Sequence, residues 1–595
     1  MKIESIFRDM DMILSQISIS CPGVPDDEIV NRLKPSIQSH LRVLYDCRCG
    51  DPIRQKLECY VRLYEHYSFL DVMDSLSELA FFCKTNANLS LGDVKGHLRD
   101  CNSFIPPLWS VLRQLIVDAL HDVSRLRDLN QVCLYLTKVE LTRPDLELKG
   151  LQDYITFEEN YPHCNMSVAL ELRKIMEEWL LDYNPSNFPH HGGGATADAG
   201  RDAILKYALL GTDAPLRAMI HHCYHSNELD MMICDSRVLH RISRLQFVPK
   251  TYKKLRSISM EPCTLMYYQQ GVKDNLYRYI HTHLDWCIRL EDQERNRVFA
   301  QLGSATGAYC TIDLTAASDS VGFELVTFLF KKTSLWPELL GTRSFCTELP
   351  DGSQIHLKKF APMGSALCFP IETIIFAGIC ELVARAARTV GYTPTDFSIY
   401  GDDICCPSYF YDSVTKILIQ LGFKPNMDKS FHTGPYRESC GREYYNGIDI
   451  SVIKHRGWDV ISMNPDTRDA LIDHANLADG ILPSVRRFCI ALLKEKGLPP
   501  FFGDACIRST SPTNYHLPRK WNRDLFRCEV RLRAPTVVEG YVPDDATTFL
   551  EWLRIADTRD PGGLTLAQLC IRPEQYTIRT GTERRYRSKW ICPDR

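Results

Sequence analysis

The sequence predicts an α+β fold whose core is built on a small sheet. Two observations carry that prediction. In the first 185 residues or so the pattern is helical: Val168, Leu172, Ile175, Met176, Trp179, Leu180 and Tyr183 recur every three or four positions and fall on one helix face. In the middle, short β-like runs such as Tyr309 to Leu314 and Phe397 to Tyr400 are bounded by Gly, Pro or Asp.

At about 150 residues per domain, the 595 residues make roughly four domain-sized units. Residues 1–200 read as helix-rich and end in the helix-breaking NPSNFPHHGGGATADAG. From about residue 201 to 455, helical stretches alternate with the short β-like runs, and this middle also holds a basic segment. Residues 456–595 return to helical and loop patterns and end in a basic tail, where Arg579, Arg584, Arg585, Arg587, Lys589 and Arg595 outnumber Glu583 and Asp594.

Composition excludes several classes. With 45% hydrophobic and 24% charged residues the chain is neither disordered, collagen-like nor a coiled coil. The balance of 70 Lys+Arg against 74 Asp+Glu excludes binding of nucleic acid by bulk charge, so any such contact must be local. The 24 cysteines are scattered with no C-x2-C pair, as expected of reduced thiols. The first residues, MKIESIFRDMDMILSQ, carry charge where a secretory signal needs an apolar stretch, so none is expected. Met363 to Cys380 is apolar but is interrupted by Pro370 and Glu372, which argues against a membrane span. His221, His222, Cys223 and His225 lack a second half of a metal set, so helix-surface histidines are the stronger reading.

The acidic residues point to chemistry. FSIYGDDICCP, residues 397–407, reads as strand, tight Gly-Asp turn and strand, with Asp402 and Asp403 at the tip. Adjacent carboxylates repel unless a cation lies between them, and hard oxygen ligands suit Mg2+. In YCTIDLTAASDSV, residues 309–321, a strand end presents Asp313, followed by Ser318 and Asp319. Phosphoryl transfer on two metals needs carboxylates from separate strands, and Asp313 and Asp402 would supply them. Read alone, Asp313 could instead cap the segment from Ala316. Between these motifs, Met363-Gly364-Ser365-Ala366 forms a small-residue loop before an apolar helix in which Glu372 needs a polar cavity or a partner. Upstream, RISRLQFVPKTYKKLR, residues 241–256, holds Arg241, Arg244, Lys250, Lys253, Lys254 and Arg256 without an acid. Such a run is either a solvated face or, ahead of an acidic metal site, a contact for a triphosphate.

The order of these motifs resembles that of right-hand, palm-type RNA-dependent RNA polymerases. TIDLTAASDSV, MGSALCFPIETIIF, IYGDDICCP and YRESCGREYYNGIDI are similar, more narrowly, to the catalytic (β) subunit of the replicase of positive-strand RNA bacteriophages, the levivirus family. The resemblance covers residues 240 to 455 and implies a right-hand fold: an antiparallel-sheet palm at 309–455, fingers at 201–308 with part of 1–200, and a thumb at 456–595. It further implies Asp313, Asp402 and Asp403 as ligands of two Mg2+ ions, with Mn2+ able to substitute, and Lys429 as the proton donor to departing pyrophosphate. Lys250, Lys253 and Arg256, supported by Glu261, are implied at the triphosphate, Ser318 and Asp319 at the ribose 2′-hydroxyl, and Gly364 and Ser365 at the nascent pair. Segment 437–447, with Arg437 and Tyr444, is implied to form a hairpin that grips the primer strand, and Arg584 and Arg585 of the tail are expected on RNA.

The implied activity is template-directed synthesis of a phage single-stranded RNA genome from ribonucleoside triphosphates, in the cytoplasm of the bacterial host, with no membrane. The implied partners are the host's elongation factors Tu and Ts and a ribosomal small-subunit protein. Asp313 and Asp319 are separated by five residues, where many eukaryotic-virus polymerases have four, and Cys368 and Glu372 replace Thr and Asn after Gly364; phage replicases share the longer gap and the glutamate. Two alternatives stay open: a reverse transcriptase, disfavoured by the small Leu314-Thr315-Ala316-Ala317-Ser318, and an inactive palm-type RNA-binding scaffold.

Overall fold

The computed structural model describes residues 2–185, 188–201, 203–212, 242–391, 396–498, 519–522, 527–537 and 584–591. The histidine cluster at 221–225 and Arg241 lie outside these residues, as does Arg579.

The amino-terminal part is helical from Lys2–Gln16 to Pro144–Glu159. Ser68 and Ser90 start the helices Phe69–Thr85 and Leu91–Asp100 with reciprocal capping boxes to Asp71 and Asp93. These helices bury Leu41, Tyr60, Leu76 and Leu115 in one apolar core with Leu471, Ile472, Val485 and Leu493 from the helices Pro465–Leu477 and Pro483–Glu495. The core therefore joins sequence segments that lie hundreds of residues apart.

A second core surrounds the acidic motifs. The helix Met166–Trp179 buries Leu172, Ile175 and Met176 against Ile374, Ile375 and Phe376 of the helix Cys368–Thr389, as the apolar stripe predicts. The apolar segment weighed as a membrane span is thus the central helix of a globular core, and among the described residues no helix is long and apolar enough to cross a membrane.

On this core lies a three-stranded antiparallel sheet in the order Tyr309–Ile312, Asp403–Pro407, Ser398–Tyr400. Ile312 pairs with Ile404 and Tyr400 with Asp403, so Asp313 leaves its strand beside the Gly401-Asp402 turn. Gly401 has φ +61°, and a Cβ there would sit 2.6 Å from the Phe369 ring, so both the turn and the helix packing require glycine. Past Asp313, Leu314–Thr315 pairs with Lys424–Pro425.

The basic segment forms an antiparallel hairpin, Ile242–Thr251 with Lys254–Met260, continued by Cys346–Glu348 and Gln354–His356. Segment 437–447 lies in a second hairpin, Tyr436–Ser439 with Arg442–Tyr445, as expected. The Ser304 hydroxyl of helix Glu294–Thr306 fixes it by donating to Pro435 O at 2.6 Å.

The helix-and-loop reading of 456–595 holds for the helices Pro465–Leu477 and Pro483–Glu495, but the described residues from 519 onward depart from it. Arg519–Asn522, Arg527–Val537 and Arg584–Ile591 form an antiparallel sheet. The period of two in Glu529-Val530-Arg531-Leu532-Arg533 is a strand signal, obscured by the many arginines.

Candidate active site

One cavity of about 1510 Å³ gathers most of the expected residues. Asp313, Asp402, Lys429, Lys250, Lys253, Arg256, Ser318 and Asp319 all line it, with Glu372, Asn426 and Glu438. The short sheet supplies the acids, the basic hairpin forms a facing wall, and the helix Cys368–Thr389 forms the floor.

Hydrogen bonds hold Asp313 and Asp403 in place. Asp313 Oδ2 accepts from Asn426 Nδ2 at 3.0 Å, and the Asp313 amide donates to Ser430 Oγ at 3.2 Å. Asp313 is not a helix cap: the short helix Ala317–Ser320 begins after Ala316, with no side-chain cap. Burial pushes the Asp313 carboxyl up and Asp402 adds to that, while the neighbouring Lys429 opposes it. Asp403 faces the 437–447 hairpin, accepting from the Cys440 amide at 3.2 Å and Ser439 Oγ at 3.3 Å, and burial with the Asp402 charge raises it to about 6. Asp402 thus pushes up both Asp313 and Asp403, and carboxylates crowded in this way are a donor set that fits a divalent cation.

Lys250 lies in the field of Asp313 and Asp402, but burial, Arg256 and Lys429 together hold its pKa down. Lys253 Nζ pairs with Asp74 Oδ1 at 2.6 Å, tying the hairpin to the helix Phe69–Thr85.

Ser318 and Asp319 have partners that sequence reasoning missed or only half foresaw. Ser318 Oγ donates to Glu372 Oε2 at 2.8 Å. Glu372 is 4% exposed, and burial, then Asp402, raises its pKa to about 8, so it is protonated near neutrality. Asp319 pairs at 2.6 Å with the fully buried Lys359, which also reaches Glu158 at 3.1 Å and lies over the Tyr154 ring. Lys359 and Glu158 carry no sequence signal, because they meet only in the fold. Glu438 sits beside Arg437 in the hairpin motif, and Asn426 lies three residues before Lys429, so both adjoin residues that the motifs single out.

Other expected residues lie elsewhere. Gly364 has φ +121°, and a Cβ there would meet Ser259 O at 2.2 Å; Ser365 Oγ bonds Gln269 Oε1 at 3.1 Å. Both hold the loop against neighbouring segments, leaving Met363 to line the cavity. Glu261 is buried, accepting from Ser344 Oγ and the Ala197 amide. Arg437 is fully buried and donates to the carbonyls of Tyr309, His432, Thr433, Gly434 and Tyr436; it braces the hairpin and is not exposed to RNA. Tyr444 is also buried, opposite Arg437 in the hairpin. Arg584 and Arg585 lie on the strand paired with Arg527–Val537.

The family described as "RNA replicase, beta-chain" matches residues 152–457, just over half of the chain and including every acidic motif. The chain belongs to this family. Among curated relatives of this replicase beta-chain, the RNA-directed RNA polymerase subunit beta of Escherichia virus Qbeta is 32% identical over 391 residues, covering 62% of each chain. The RNA-directed RNA polymerase beta chain of Escherichia phage MS2 is 38% identical over 203 residues, 34% of this chain and 36% of the relative. The matches thus span less than two thirds of these relatives' lengths. Solved structures that superpose on the replicase chain include one titled "RdRp complex" (TM-score 0.49, 11% identity, 77% of this chain and 48% of the other). A human picorbirnavirus RNA-dependent RNA polymerase superposes with TM-score 0.39 and 13% identity over 69% and 83% of the two chains.

Proposed function

We propose that this replicase beta-chain catalyses template-directed RNA synthesis from ribonucleoside triphosphates, copying a phage single-stranded RNA genome. The observation that carries the reading is the convergence of Asp313 and Asp402, from separate strands, on one cavity whose facing wall bears Lys250 and Arg256. The family membership and the descriptions of the Qbeta and MS2 relatives support it.

In this reading Asp313 and Asp402, with Asp403 at the adjoining corner, hold divalent cations, Mg2+ with Mn2+ as a substitute. When bound, the cations supply the positive charge that acidifies an attacking 3′-hydroxyl and stabilises departing pyrophosphate. Lys250 and Arg256 bind and orient the triphosphate. Lys429, beside Asp313, donates a proton to the leaving oxygen. Ser318, held by Glu372, and Asp319, held by Lys359, present fixed polar groups to the sugar.

The proposal extends to an assembly in the bacterial cytoplasm with elongation factors Tu and Ts and a ribosomal small-subunit protein. The description of the Qbeta relative as a "subunit beta" supports a multi-chain enzyme. Co-purification of tagged chain from bacterial cells tests that part. The chemistry is tested by template-dependent incorporation with ribo- and deoxyribonucleotides in parallel. Preferential use of ribonucleotides is expected; preferential use of deoxyribonucleotides points to a reverse transcriptase, and no incorporation to a scaffold.

A further inference from the structure

Segments 131–140 and 453–456 are zipped together. Gln131 exchanges two hydrogen bonds with the Ile453 backbone, at 2.8 and 2.9 Å. The His455 amide donates to Tyr135 O at 2.7 Å, and the Glu140 amide to Arg456 O at 2.9 Å. This seam brings Lys138 alongside Lys454 and Arg456, and Leu134 on the same segment lines the catalytic cavity. Lys138 lies within the electrostatic reach of Lys454, Lys250, Arg256 and Arg456 at once. Lys250 in turn feels Arg256, Lys429, Asp402 and Asp313. The seam thus sets a second group of cations next to the basic hairpin, with Leu134 of the seam at the cavity that the hairpin lines.

Among the described residues, no ion pair holds Lys138, Lys250, Arg256 or Arg456; Lys454 reaches Glu443 at 3.7 Å, but Glu443 is already bound to Lys84 at 2.6 Å. Burial and the surrounding cations lower the pKa of Lys138. Such a cluster costs folding stability until an anion enters it. One triphosphate at the acidic pair uses Lys250 and Arg256 and leaves the seam unneutralised. A polymer with one negative charge per phosphate matches a row of cations leading outward.

We propose that Lys138, Lys454 and Arg456 extend the basic hairpin into a track for the phosphodiester backbone of an RNA strand. The proposal deepens the polymerase reading and rests on it for the strand being RNA.

The test is equilibrium binding of a short labelled single-stranded RNA to the full chain, without nucleotides, across a salt series. For the double variant Lys138→Gln/Arg456→Gln, weaker binding is expected, with a log affinity against log salt slope shallower by about 1.4, or about 0.7 for each phosphate no longer neutralised. The same variant should melt no lower than wild type, because like-charge repulsion is relieved; a structural lysine would lower the melting temperature. Lys138→Arg/Arg456→Lys should restore the slope. A slope equal to wild type overturns the proposal, and so does an unchanged slope with a raised KM for nucleotide, which would make the seam a free-triphosphate site. If wild type binds RNA with the expected slope but adds no nucleotide, the track stands and the polymerase reading fails.

Discussion

Asp319, in the motif that follows the first catalytic candidate, has its Oδ1 2.6 Å from Nζ of the fully buried Lys359. The lysine lies between Asp319 and Glu158 and over the face of Tyr154, so one buried cation joins the short helix Ala317–Ser320 at the cavity to the helix Pro144–Glu159. Removing it leaves two carboxylates without their cation. Lys359→Met should destabilise the fold by about 3–5 kcal/mol, read as a lower denaturant midpoint at unchanged slope.

Glu372 gives a pH signature. Its pKa rises from 4.5 to about 8 on folding, through burial and the Asp402 charge. The folded protein therefore binds more protons than the unfolded chain between those values, and stability contributed by this group falls as pH rises across that window. In a chelating buffer, Glu372→Gln should melt higher than wild type at pH 8.5, with the gain vanishing near pH 4.5. A constant difference at all pH values would mean that Glu372 is ionised in the fold.

Three histidines are buried in the shared core: His40 joins amino-terminal helices to one another, while His455 and, on the helix Pro465–Leu477, His474 tie later segments to them. Tyr60 OH donates to His40 Nδ1 while His40 Nε2 donates to Val132 O, and Tyr135 OH joins Ser39 to His474. Ser36 Oγ bonds His455 Nε2 at 2.9 Å. Burial lowers His40 and His474 from 6.5 to about 4 each, so the unfolded chain binds more protons between these values. Stability should be full above pH 6.5 and decline steadily toward pH 4, by on the order of 3 kcal/mol per histidine. A melting series across that range checks it, and His40→Gln should flatten part of the decline.

The site is legible in the sequence where its chemistry is local. Asp313, Asp402 and the basic run are fixed by strand ends and a turn that neighbouring residues specify, and the apolar stripe of Met166–Trp179 by helical periodicity. What stays hidden depends on contacts between distant segments. Arg437 is expected on RNA because the resemblance implies that its segment grips the primer strand, yet five carbonyl oxygens converge on it and outcompete solvent. Gly364 is expected at the nascent pair, but Ser259 occupies the space beside it. Lys359, Glu158 and the Lys138 seam arise only when segments some 40 to 320 residues apart meet.

The central claim is that Asp313 and Asp402 hold the ions that drive nucleotide addition. Its most direct measurement is single-turnover ribonucleotide addition to a bound RNA by Asp402→Asn, with RNA affinity measured on the same preparation. The expected result is a rate at least about 10²-fold below wild type with RNA affinity little changed; addition at the wild-type rate would contradict the account.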